Sequence, residues 1–195
     1  MAQGALITHT GRILGIDPGS RFTGWGVVER RGSALVHIDN GVLTPTPSLP
    51  FAERLLHIHR GLRAVIEATG PTSVALERIY TSKNAASALK LGHARGIAML
   101  AACEAGLPIA EFSASEIKLA VSGSGRADKH QVQQMVRVLL GLPEVAAEDA
   151  SDALAAAICK CQHRELPPAN PLSALLAEKA SAARKRKNFP IGKST

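Results

Sequence analysis

From Arg12 to Asp17 the chain is nearly continuous in apolar residues, Ile13-Leu14-Gly15-Ile16, as expected of a central strand buried on both faces. Residues 22–31 and 34–44 alternate apolar and polar positions instead, and they meet at a short Arg31-Gly32-Ser33 turn, a hairpin signal. Thr44-Pro45-Thr46-Pro47 follows as a rigid connector. Over 48–69 the period changes: Phe51, Leu55, Ile58, Leu62, Val65 and Ile66 recur at helical spacing until Gly70-Pro71 stops them. Ser73–Glu77 predicts a second short buried strand, 82–105 a long helix ended by Gly106 and Pro108, and 108–112 a last strand. Ser113-Ala-Ser-Glu116 has the form of a capping box and opens a short helix to about Val121. A flexible Ser122-Gly-Ser-Gly125 loop, a helix over Lys129–Leu140, a connector at Pro143 and a closing alanine-rich helix over 146–163 complete the pattern.

Three sequential strands, then helix, strand, helix, strand and helices, predict an α/β fold. Its sheet is mixed, an antiparallel meander feeding crossover units, with helices on both faces. A length of 195 residues suits one domain with a tail, and 46% apolar content suits a globular chain. Only 3% of residues are aromatic, so the core must be aliphatic. No stretch of ~18 apolar residues exists to cross a membrane, and the first ten residues lack a signal-peptide pattern. The expectation is a cytoplasmic protein with no membrane association.

Cys103, Cys159 and Cys161 have no framework spacing, which predicts reduced thiols. Cys159-x-Cys161-x-His163 is too tight for the usual zinc pattern and reads as ordinary helix-end residues. The net charge is +7, but from Arg164 onward seven Lys/Arg face two Asp/Glu, leaving the body with only +2. Basicity alone therefore makes a weak case for nucleic acid, and the placement of the charges has to carry it. Pro167-Pro168, scattered alanines and Arg184-Lys-Arg-Lys187 predict a disordered basic tail over 165–195. Residues 1–10 are expected to be a flexible extension.

Four carboxylates carry the chemistry. Asp17 closes the first apolar run at a Pro18-Gly19 turn, and Glu77 closes another. Asp149 and Asp152 begin the last helix, three residues apart and so on one face. Acids at two strand ends plus a helical pair suit hard divalent cations, which take oxygen ligands and keep waters that a phosphate can replace. Two such cations about 3.5–4 Å apart would serve phosphodiester hydrolysis, with Asp17 as the expected bridging ligand. Taken singly, Asp17-Pro-Gly is a common turn, Glu77 a strand-end acid and Asp149 an acid favoured at a helix start.

Order and acids together resemble the RuvC family of Holliday-junction resolvases, of ribonuclease H-like fold. The resemblance runs from about Arg12 to His163. It is carried by Ile16-Asp-Pro-Gly-Ser-Arg-Phe-Thr-Gly-Trp-Gly26, Leu76-Glu-Arg-Ile-Tyr80, Lys83-Asn-Ala-Ala-Ser-Ala-Leu-Lys-Leu-Gly-His-Ala-Arg-Gly96 and Asp149-Ala-Ser-Asp-Ala-Leu-Ala155. It implies a five-stranded mixed sheet within a nuclease domain over 11–164. It also implies a homodimeric endonuclease of recombination and repair that nicks two like-polarity strands of a four-way junction symmetrically. Mg²⁺ is the implied cation, with Mn²⁺ able to substitute, held by Asp17, Glu77, Asp149 and Asp152. The partner implied is a branch-migration complex, a junction-binding tetramer with a motor ring. Tyr80 stands where the family often has Phe, and His93 where it often has Gln.

Lys83, Lys90, His93 and Arg95 along the long helix, and Lys118, Arg126 and Lys129 around the Gly-rich loop, read as phosphate contacts or as a solvated face. The resemblance favours Lys118 and Lys129. Tyr80 reads as a base-stacking residue or as a core tyrosine. Gly92 and Gly96 admit close helix approach, to a second copy or to the chain's own sheet. Competing readings are an ATP-binding domain of the actin, chaperone and sugar-kinase superfamily, a non-catalytic junction binder, and a nuclease of other branched DNA. The first needs two domains and a second phosphate loop, which this chain lacks. The second sits poorly with all four acids present.

Overall fold

The computed structural model describes residues 11–78 and 85–163. Tyr80, Lys83 and the basic run at 184–187 lie outside them, as do the segments 1–10 and 165–195. Five strands form one sheet in the order β3-β2-β1-β4-β5. They are β1 (Arg12–Asp17), β2 (Thr23–Arg31), β3 (Ala34–Leu43), β4 (Ser73–Glu77) and β5 (Ile109–Phe112). β1 pairs antiparallel with β2 and parallel with β4, so the hairpin arm and the crossover arm meet at the central strand. The expected mixed sheet is what the chain forms.

Strand alternation divides the core into two layers. Leu14 and Ile16 of β1, Val27, Val74 and Leu76 pack against Ile58, Leu62 and Ile66 of helix α1 (Phe51–Thr69) and Ala98, Ala101 and Ala102 of α2 (Ala85–Glu104). On the other face Ile13, Val28 and Ala75 meet Ile117, Val121, Val132, Val136, Leu154 and Ile158. Those residues come from α3 (Ala114–Ser122), α4 (Lys129–Leu140) and α5 (Glu148–Gln162). Burying each large aliphatic side chain contributes about 1.5–3 kcal/mol. No helix among the described residues is long and apolar enough to cross a membrane.

Two helices start later than their apolar periods suggest. α1 begins at Phe51, not at position 48, because Pro50 is held extended and Leu49 turns back to the Thr46 carbonyl. α5 begins at Glu148 because Ala147 is extended, at ψ 148°. The expected Ser122–Gly125 loop is a built connection: Gly123, at φ 73°, caps α3, and Ala127 closes a turn on Ser124.

α5 lies against the sheet at unusually close range. A Cβ on Gly15 would stand 1.8 Å from the Ala153 carbonyl oxygen, and one on Gly26 would stand 2.5 Å from Leu154. Gly15 and Gly26 face each other across the β1–β2 ladder, and Gly24 is opposite Asp17. Ala150, Ala153 and Ala157 of α5 are fully buried. Side-chain-free strand positions meeting alanines let helix backbone rest on strand backbone.

Candidate active site

That contact builds the site. Ile13 and Ala75 belong to the α5 layer, and strand alternation puts Asp17 and Glu77 on the same side as them. α5 presents Asp149 and Asp152 from its first turns, where acids are also favoured by the helix dipole. All four carboxylates are half-buried. They share one electrostatic field. The Asp17 carboxyl is pushed up to about 7, first by burial and then by the negative charges of Asp152, Asp149 and Glu77. Glu77 is raised by burial and by Asp152, against the pull of Lys118, Lys129 and Arg95. Burial raises Asp152 as well, while its hydrogen bond from Lys129 opposes the rise.

Lys129 enters this field directly. Asp128 caps α4 by accepting from the Gln131 backbone N–H, which fixes Lys129 at the first helical position. Its ammonium donates to Glu148 Oε1 at 2.5 Å and contacts Asp152 Oδ2 at 2.9 Å. Burial works to lower its pKa, but pairing with Glu148 and Asp152 outweighs burial and raises it. Lys118, half-buried on α3, is close enough to act on Glu77.

The remaining basic residues divide. Lys90, His93 and Arg126 are exposed. The His93 ring packs edge-on against Phe51, with Nδ1 2.6 Å from the Leu89 carbonyl. Arg95 is turned inward, donating to the Glu77 carbonyl and to Glu111 Oε1, each at 2.5 Å. Glu111 and Glu148 have no part in the sequence reading. The signals available for them were an acid on the strand beside Glu77 and a third acid at the start of α5. Cys159 and Cys161 are buried and pushed up to about 12 and about 11, as protonated thiols of the core.

The donor set fits a hard cation by chemistry: carboxylate oxygens whose mutual repulsion a divalent cation relieves. As the side chains stand, no three His, Cys, Asp or Glu among the described residues close on a point that could hold a metal ion. Lys129, bonded to Asp152, supplies part of the positive charge there.

A family model described as "Crossover junction endodeoxyribonuclease RuvC" matches residues 13–160. A protein of that name from Syntrophotalea carbinolica is 62% identical over 148 residues, 76% of this chain and 92% of its own length. Another from Trichlorobacter lovleyi is 55% identical, over 80% of this chain and 87% of its own. Among solved structures, T. thermophilus RuvC in complex with Holliday junction substrate superposes with a TM-score of 0.73 at 34% identity, over 76% and 92% of the two chains. A yeast mitochondrial Holliday junction resolvase shares the fold at 14% identity, with a TM-score of 0.57 over 93% and 88%.

Proposed function

The chain belongs to the RuvC family of crossover junction endodeoxyribonucleases, and from that premise we propose that its four clustered carboxylates form a two-cation site for cutting four-way DNA junctions. The enzyme is a divalent-metal-dependent nuclease of recombination and repair that resolves Holliday junctions. Asp17, Glu77, Asp149 and Asp152 would hold the cations, with Mg²⁺ as the proposed working ion and Mn²⁺ able to replace it. One observation carries this reading: the ends of β1 and β4 turn Asp17 and Glu77 to the sheet face on which the first turns of α5 bear Asp149 and Asp152, close enough that the three other acids all raise Asp17. Isolated surface acids would not interact in this way.

Cations held by these acids would supply Lewis-acid chemistry for phosphodiester hydrolysis, lowering the pKa of a water and offsetting charge on the leaving oxygen. The protein's own groups do the rest. Lys118 and Lys129 bring positive charge to a carboxylate cluster that would otherwise repel the phosphate. Lys129, held by Glu148 and Asp152 at the edge of the cluster, would be placed to meet a phosphate oxygen. Lys90 adds a further exposed cation on α2; Lys83 as a phosphate contact and Tyr80 as a base-stacking residue complete the proposed DNA contacts and lie outside the described residues. These contacts are sequence-blind and weaken with salt.

Symmetric nicking needs two sites facing a two-fold substrate, which favours a homodimer. The α2 face supports it: a Cβ at Gly92 or Gly96 would meet nothing within 4 Å among the described residues, and Leu89 and Leu100 beside them are exposed. A second copy seated there would cover all four. The proposal extends to a nuclease domain over 11–164, a partner branch-migration complex of tetramer and motor ring, and a cytoplasmic place of work set by the DNA substrate. The experiment is cleavage of a synthetic four-way junction with and without Mg²⁺, for the wild type and Asp17→Asn. Paired metal-dependent nicks, lost in a variant that still binds the junction, are expected. Junction binding without cleavage in Mg²⁺ or Mn²⁺ would refute the catalytic reading.

A further inference from the structure

We infer that Arg95, braced by Glu111, is a positioning residue that fixes the Glu77 end of the metal site, and that it is not a phosphate contact. The inference rests on the reading of Glu77 as a ligand. Pairing of β1 with β4 stops at Ile16–Leu76, one residue short of Glu77. Arg95 takes the Glu77 carbonyl through Nη1, at 2.5 Å. Its Nη2 donates to Glu111 Oε1, also at 2.5 Å, and Glu111 stands opposite Leu76 in the β4–β5 ladder. The planar guanidinium thus ties the ends of two strands together, a geometry an ammonium cannot reproduce.

Direction matters as much as distance. α2 packs on the sheet face opposite α5, so Arg95 reaches the backbone of Glu77 from behind. The Glu77 carboxylate is left to the α5 side, where the other acids are. The Arg95 side chain is only 14% exposed, and a carboxylate occupies one arm of its fork. A phosphate oxygen would have to displace Glu111 and approach that negative charge. Arg78 reinforces the same junction: its N–H donates to the Phe112 carbonyl at 2.6 Å and its guanidinium to the Glu111 carbonyl at 2.9 Å.

The test compares full-length wild type, Arg95→Gln, Arg95→Lys and Glu111→Gln in three assays. These are calorimetric Mn²⁺ binding without DNA, four-way-junction binding across a KCl series without divalent metal, and single-turnover cleavage against Mg²⁺ concentration. Arg95→Gln is expected to weaken Mn²⁺ binding, and raise the Mg²⁺ needed for half-maximal cleavage, by about 10-fold, the scale of losing a group that orients a ligand. Junction affinity and its salt slope should stay at wild-type values. Arg95→Lys should recover little, because one ammonium cannot serve both acceptors.

The opposite pattern, weaker junction binding with a salt slope lower by about 1 and unchanged Mn²⁺ binding, would overturn the inference in favour of a phosphate contact. Should the Arg95 variants fail to fold, Glu111→Gln decides: weaker Mn²⁺ binding supports the brace and unchanged Mn²⁺ binding refutes it. Glu77→Gln separates the underlying reading. If it leaves Mn²⁺ binding intact, the ligand assignment itself has failed.

Discussion

Gly24 packs so tightly on the main chain of Asp149 that a Cβ at position 24 would stand 1.9 Å from the Asp149 carbonyl oxygen. Asp17 is the residue opposite Gly24 in the β1–β2 ladder. The spacing between the strand acid Asp17 and the helix acid Asp149 is therefore set by a residue with no side chain.

Gly24→Ala must push the start of α5 away from the sheet. Overpacking of this kind costs about 1–3 kcal/mol. The variant should unfold at lower denaturant and need more Mg²⁺ for cleavage. A wild-type denaturation midpoint and wild-type metal requirement would show that α5 is not seated where Gly24 puts it.

Asp17 makes the metal-free protein pH-sensitive. Its folded pKa is raised from 3.8 to about 7, so the folded state holds a proton that the unfolded chain releases. Stability contributed by this group is full at the acid end and is lost as pH rises from about 4 to about 7. Asp17→Asn should flatten that decline and raise the melting temperature at pH 8. Mg²⁺ should narrow the difference by stabilising the ionised wild-type carboxylate. A variant less stable than wild type at pH 8 without metal would contradict the sign.

Lys129 should matter far more to rate than to stability. Its bonds to Glu148 and Asp152 involve a half-exposed side chain, and such pairs contribute at most about 1 kcal/mol. Removing a preorganised positive group from a reacting phosphate costs on the order of 100-fold in rate. Lys129→Ala is expected to melt near the wild type yet cleave junctions about that much more slowly in single-turnover assays. Comparable rates would remove Lys129 from the chemistry.

The α2 face gives a fourth outcome. A Cβ at position 96 would meet nothing within 4 Å among the described residues, so the monomer fold should tolerate Gly96→Leu. If a second copy closes on this face, sedimentation will show the wild-type dimer shifted toward monomer. An unchanged dimer would move the interface elsewhere.

Short-range pattern was enough to read the strands and the ends at which Asp17 and Glu77 sit, because alternation and apolar runs are local. It was also enough to put Asp149 and Asp152 on one helix face. Depth of packing was not legible. Gly15, Gly24 and Gly26 look like ordinary strand glycines until α5, well over a hundred residues later, is laid across them. The Lys129–Glu148–Asp152 contact joins the starts of two helices, which no period encodes. Arg95 shows the reverse difficulty. On a linear chain it is one more cation on a basic helix, and only the fold reveals the carbonyl and carboxylate that occupy it.

Glycine at 15, 24 and 26 also limits how the site can vary. At Gly15 and Gly24 helix and sheet already meet backbone to backbone, and at Gly26 the strand meets the Leu154 side chain, so no substitution at these positions can bring the carboxylates nearer. Every available change is an addition and acts in one direction, toward a wider gap. The separation of the two halves of the site thus has a floor fixed by atomic radii, and the protein sits on it.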